Sequence, residues 1–142
     1  MATTEFSAGG VVFNADREVV VIVPTRRAAD GSRVLALPKG HPDGDESAAE
    51  AALREVREEA GVQAEVVESL GEVKYWYQRG GLRISKAVEF FLLRYVSGDV
   101  ADHDHEVEAA RWIPAEEAAG SLTYDGERQM VRRALSRLDR AQ

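Results

Sequence analysis

The run GHPDGDESAAEAALREVREEAGV, residues 40–62, decides how the rest of this chain is read. Ser47 followed three residues later by Glu50 is a capping box, in which the hydroxyl accepts an orphan helix N–H and the carboxylate returns to the cap residue's own N–H. A helix over 48–60, at 100° per residue, places Ala49, Ala52, Leu53, Val56 and Ala60 on one apolar stripe. Gly61 then stands where a left-handed residue ends the helix. Glu55 and Glu59 fall one turn apart on the margin of the stripe, with Glu58 beside them on the polar side. An isolated acid pair of this kind is often a solvated face, here served by Arg54 and Arg57. Three carboxylates converging on one edge, with Ala51 rather than a base one turn before Glu55, point instead to a divalent cation. The chain has no Cys and the helix no His, so the donors are oxygens and the metal a hard one, Mg2+ with Mn2+ as substitute rather than Zn2+. Mg2+ keeps several waters and is usually bound together with a phosphate.

Gly40, Glu46 and the run Arg54-Glu55-Val56-Arg57-Glu58-Glu59-Ala60-Gly61-Val62 together resemble the Nudix box, the signature of hydrolases acting on a nucleoside diphosphate linked to another moiety. The flanking Leu37-Pro38-Lys39-Gly40-His41-Pro42 resembles the version found in diadenosine polyphosphate hydrolases of that superfamily. The resemblance implies an α/β fold, the Nudix α/β/α sandwich with a mixed central sheet, as a single domain over 1–142. It also implies that the Gly40 carbonyl, Glu55, Glu58 and Glu59 hold the metal, and that Arg54 pairs with Glu46 and keeps the acidic edge in register. Arg54 can in addition pair with Glu58 one turn on. Gly40 is expected at a sharp turn after a strand, where the lack of Cβ lets its carbonyl approach a ligand. Substitution at phosphorus by water is the implied chemistry, with the metal polarising the phosphate and acidifying the water. Glu58 is then a further ligand or the general base, with Glu106, and Glu108 after it, as rivals for the second role.

Composition bounds the partners. A chain of 142 residues, 44% hydrophobic and 30% charged, is long enough to bury one core. The net charge of −7 argues against a general nucleic-acid binder, because counterion release needs a basic surface; a small nucleotide substrate meets no such objection. The missing Cys excludes a disulfide framework, agrees with a cytoplasmic location, and weighs against the isopentenyl diphosphate isomerase branch, whose chemistry uses a thiol. No run approaches the ~20 apolar residues of a membrane span and no signal-like start opens the sequence, so a membrane partner is not expected.

Along the chain, residues 6–14 read as a strand with Gly9-Gly10 marking a bulge or a close backbone approach. The β-branched run 18–23 is a second strand, 25–33 a polar loop made basic by Arg26, Arg27 and Arg33, and 34–37 a short strand. Residues 64–78, broken at Gly71, and 82–95 form a long hairpin about Gly80-Gly81. Alternation puts Tyr75 and Tyr77 on one face and Trp76 on the other; with Lys74, Arg79 and Arg83 nearby, one face either stacks a nucleobase or fills a core. Residues 97–105 read as an acidic loop, with His103 and His105 exposed rather than metal-bound. Residues 111–114 resemble the strand that leads into a short helix at 115–118, and 124–138 read as a packing helix, with Glu127 in line with Val131, Ala134 and Leu138.

These residues support a dinucleoside polyphosphate as substrate, bound by Lys39, Arg83 and the tyrosines Tyr75 and Tyr77. A MutT-like pyrophosphatase for oxidised nucleoside triphosphates is the alternative. A catalytically silent nucleotide sensor would be expected to lose members of Glu55, Glu58 and Glu59, and none is lost.

Overall fold

The computed structural model describes residues 3–140; the two residues at each end of the expected 1–142 domain lie outside the described part. Strands β1 (Thr3–Phe13), β2 (Glu18–Pro24) and β3 (Lys39–Gly40) precede helix α1 (Ala48–Ala60). Strands β4 (Val62–Arg79) and β5 (Leu82–Gly98) form the hairpin, and β6 (Val107–Pro114) leads into α2 (Ala115–Ser121) and α3 (Asp125–Arg140). The strands lie in the order β4-β5-β1-β2-β6, with β3 added beside β1. Only the β1–β5 pairing is parallel, so the sheet is mixed.

The period-two pattern of the central strands sorts their side chains into two cores. Val11, Val19, Val21, Phe90 and Leu92 face Ala115 and Ala118 of α2 and Met130, Val131 and Ala134 of α3. Val12, Val20, Ile22, Phe91 and Leu93 face Ala51, Ala52, Val56 and Ala60 of α1. The result is the expected α/β/α sandwich. Among the described residues no helix is long and apolar enough to cross a membrane.

Local details depart from the sequence reading in three places. The buried face of α1 includes Ala51, whereas Ala49 and Leu53 are only half-buried, so the stripe is turned toward the side that carries Glu55 and Glu59. Residues 34–37 make no ladder: a single bridge joins Ala36 to Ile22, and the paired residues are Lys39 and Gly40 against Gly9 and Ala8. Pro38 explains the shift, since it has no N–H to give while its carbonyl accepts from Gly10 N at 3.1 Å. The acidic loop is shorter than read, because β5 runs to Gly98 and Val100–Asp102 form a 3-10 turn. Of the two readings of Gly9-Gly10 the close approach holds: β1 pairs with β5 without a register shift, and a Cβ on Gly9 would fall on Pro38 and Lys39. The break at Gly71 is a bulge in β4, with φ of 98°.

Candidate active site

Helix α1 begins and ends as its sequence requires. Glu50 N donates to Ser47 Oγ at 3.1 Å and Ser47 N to Glu50 Oε1 at 2.9 Å, closing the capping box, while Gly61 takes φ of 75° and donates its N–H to Arg57 O. Between these caps Arg54 gathers the acids. Its guanidinium reaches Glu46 at 2.8 and 3.0 Å, Glu55 at 2.8 Å, Glu58 at 3.2 Å and the His41 carbonyl at 2.9 Å, with Asp43 at 3.4 Å. This arrangement ties the loop before the helix to the helix itself.

Glu55 and Glu59 lie at the inner edge of this cluster, next to β3. Gly40 belongs to that strand rather than to a turn, and glycine is needed because a Cβ would land on the Glu55 carboxylate. Glu59 accepts the Lys39 N–H at 2.8 Å. Burial pushes the Glu55 carboxyl above its usual range, against the bond from Arg54, and pushes Glu59 up to about 8, with the charge of Glu55 adding to the effect. Burial and neighbouring negative charge both disfavour the ionised carboxylates, and a hard cation held by Glu55, Glu59 and the Gly40 carbonyl would offset both. The donor set therefore fits Mg2+ or Mn2+. It is not a ready-made cage: among the described residues no three Asp, Glu or His side chains stand together as a metal site. Glu58, expected to complete one, is exposed and turned to Arg54.

A cavity of about 1580 Å3 opens beside this edge. Gly40, Glu55, Glu59 and Glu106 line it on one side, Tyr75, Tyr77 and Lys86 on the sheet, and Tyr124, Glu127 and Arg133 from the last helix and its approach. Glu106 is held by its backbone, its carbonyl accepting from Thr25 N at 3.0 Å and its N–H donating to Asp104 at 3.1 Å. Glu108 is outside the lining and paired with Arg33 at 3.2 Å and Arg27 at 3.8 Å. Glu58 and Arg54 are likewise not among the lining residues.

The hairpin separates its aromatic residues by face. Tyr75 and Tyr77, with ring centroids 6.4 Å apart, face the cavity, and Tyr77 is held by its hydroxyl donating to Glu5 at 2.5 Å. Trp76 is on the other face, with the Arg83 guanidinium 4.1 Å above its ring. Arg83, expected at the substrate, is thus turned away from the cavity, because it stands opposite Gln78 on the Trp76 side of the ladder.

Glu127 is the residue that sequence reading underused. It is 4% exposed; Oε1 accepts from Leu37 N at 2.8 Å and Oε2 pairs with Lys39 Nζ at 2.8 Å. Burial lowers the Lys39 pKa, yet the charge of Glu127, its hydrogen bond and the charge of Glu59 outweigh it, so the ammonium is held above its ordinary range. Lys39, expected at the substrate, lines the cavity and is paired there with Glu127. The signal was present: a glutamate on the apolar stripe of a helix must find a buried partner. Tyr124, Lys86 and Arg26 also reach the cavity without any local motif announcing them.

The protein resembles known chains over its whole described length. It is 35% identical over 143 residues to "Putative mutator protein MutT4" of Mycobacterium tuberculosis, covering 97% of this chain and 57% of that one. With "8-oxo-(d)GTP phosphatase" of Mycolicibacterium smegmatis the identity is 32% over 129 residues, covering 91% and 37%. The chain thus spans about half or less of the length of these relatives. A solved C. elegans Ap4A hydrolase binary complex shares the fold with a TM-score of 0.74 at 24% identity, covering 95% and 98% of the two chains. The model of the NUDIX domain matches residues 3–134, almost all of the sheet and helices described above, and the chain belongs to the NUDIX family.

Proposed function

We propose that this chain is a divalent-cation-dependent hydrolase that cleaves a phosphoanhydride bond in compounds built on a nucleoside diphosphate. The observation that carries the reading is the half-buried pair Glu55 and Glu59, Glu55 packed on Gly40 and Glu59 on the Lys39 N–H, opening on a cavity whose far side offers tyrosines and basic side chains. Glu55, Glu59 and the Gly40 carbonyl would hold Mg2+ or Mn2+, which when bound neutralises phosphate charge and acidifies water. Arg54 fixes the acidic edge from behind, by its bonds to Glu46 and Glu55. Glu106 accepts the proton of the attacking water in this reading, since it lines the cavity and Glu58 does not. Tyr75, and Tyr77 held by Glu5, present their rings to a base, while Arg26, Lys86 and Arg133 face the phosphates.

The substrate supported by this geometry is a dinucleoside polyphosphate. The cavity of about 1580 Å3 exceeds the ~300–1,000 Å3 of ordinary small-molecule sites and suits a ligand with two nucleosides. The second reading, an oxidised nucleoside triphosphate, is favoured by the names of the two mycobacterial relatives. A panel of diadenosine polyphosphates, ATP and 8-oxo-dGTP with Mg2+, products resolved by chromatography, separates them. We expect the highest kcat/KM on a diadenosine polyphosphate. Equal or better turnover of a triphosphate transfers the assignment to the second reading, and no turnover of any compound leaves only a silent nucleotide-binding module.

A further inference from the structure

Lys39 addresses two carboxylates at once. Its backbone N–H donates to Glu59 and its ammonium pairs with Glu127, each at 2.8 Å. The ammonium is attracted by Glu59 as well as by Glu127, so two acids compete for one buried positive charge. Glu127 holds it, from the first turn of α3 and 88 residues further along the chain, with its second oxygen fixed by Leu37 N. We infer that Glu127 is a positioning residue that keeps the Lys39 ammonium off the Glu59 carboxylate and so leaves that carboxylate available to a divalent cation. The inference rests on the cation site proposed above. An ammonium seated on Glu59 would neutralise a ligand and repel a dication; seated on Glu127 it closes a charge that the helix has buried. Glutamine at position 127 can still accept from Leu37 N but has no charge to retain Lys39, and Glu59 is then the carboxylate left to attract it.

Mn2+ binding to the substrate-free protein, by calorimetry and by the electron paramagnetic resonance signal of free Mn2+, tests this directly. Glu127→Gln should weaken Mn2+ binding about tenfold or more, the scale at which outer residues act on a metal site. Adding Lys39→Gln should restore the affinity to within about twofold of the original, since the competing charge is gone. A role confined to stability predicts the opposite for the double variant, which lacks the same tie between α3 and β3. Unchanged binding in Glu127→Gln, or binding in the double variant as weak as in the single one, overturns the inference. Should Glu127→Gln fail to fold, the double variant, whose buried pair is neutral on both sides, decides alone: affinity near the original supports the inference and a loss of about tenfold or more overturns it. Failure of the cation site reads differently. The unmodified protein and Glu59→Gln would then bind Mn2+ equally weakly, which removes the proposed function together with the inference.

Discussion

At Arg54 one guanidinium serves Glu46, Glu55, Glu58 and Asp43, whereas at Glu127 one carboxylate meets one ammonium and one amide. Both arrangements place charge in poorly hydrated surroundings, but they close it differently. The Glu127 side balances, and a buried pair of that kind costs most when one member is removed. The Arg54 side sets four carboxylates against one guanidinium, and at the inner edge burial, with the charge of neighbouring acids adding to it, pushes Glu55 and Glu59 above their usual range. Solvent relieves the excess of negative charge for Glu58, which is exposed, but not for the half-buried pair. The contrast teaches where a ligand belongs: a balanced cluster is architecture, and an undercompensated one beside a cavity awaits positive charge.

The largest effect is expected at Glu59. Glu59→Gln keeps an acceptor for the Lys39 N–H and leaves the buried stripe of α1 untouched, yet removes one of the two charges that define the site. We expect kcat/KM to fall by on the order of 10²-fold or more with the fold retained. An activity within a few-fold of the original would show that the excess charge has no chemical role.

The next effect is on stability. A cation that binds only the folded chain stabilises it by about 2.7 kcal/mol at a hundredfold excess over Kd, on the order of 10 °C in Tm for a domain of this size. Mg2+ or Mn2+ should therefore raise Tm, EDTA should reverse the rise, and Glu59→Gln should blunt it. Equal melting in EDTA and in excess Mg2+ contradicts the assignment of Glu55 and Glu59 to a cation site.

The two clusters also differ in how far sequence could reach them. The Arg54 cluster is built within residues 43–58, where capping and helical spacing act over a few residues, so the helix bounds of 48–60 and the acidic edge were legible. The Arg54–Glu46 pair followed from the family pattern and is present at 2.8 Å. The Glu127 cluster joins residues 88 to 90 positions apart, and no local rule sets that distance. What sequence did offer was a charge on an apolar stripe, without its partner. The short strand misplaced to 34–37 failed for a similar reason: an apolar run marks extended backbone, but pairing depends on which neighbour has an N–H to meet. Helical phase is a third case. Ala49, Ala51 and Leu53 are all apolar enough to be buried, and packing against the sheet chose Ala51.

The smallest effect lies between the two clusters, on the β4–β5 hairpin, where adjacent residues sample opposite faces of one ribbon. Tyr75 is 40% exposed and lines the cavity; Trp76 is 53% exposed on the other face, under Arg83. Both have an aromatic surface to offer, so exposure alone would favour the tryptophan as the place where a base stacks. Position relative to the acidic edge reverses that choice, because Tyr75 lines the same cavity as Glu55 and Glu59 and Trp76 does not. Stacking is worth ~1–3 kcal/mol per base, or roughly 5- to 150-fold in affinity. Tyr75→Ala should accordingly raise KM for the preferred nucleotide by at least about 5-fold with kcat changed less, the signature of lost ground-state binding, whereas Trp76→Ala should leave both within about twofold. Steady-state kinetics on the two variants decide between the faces. If Trp76→Ala raises KM and Tyr75→Ala does not, the base stacks outside the cavity that Glu55 and Glu59 line.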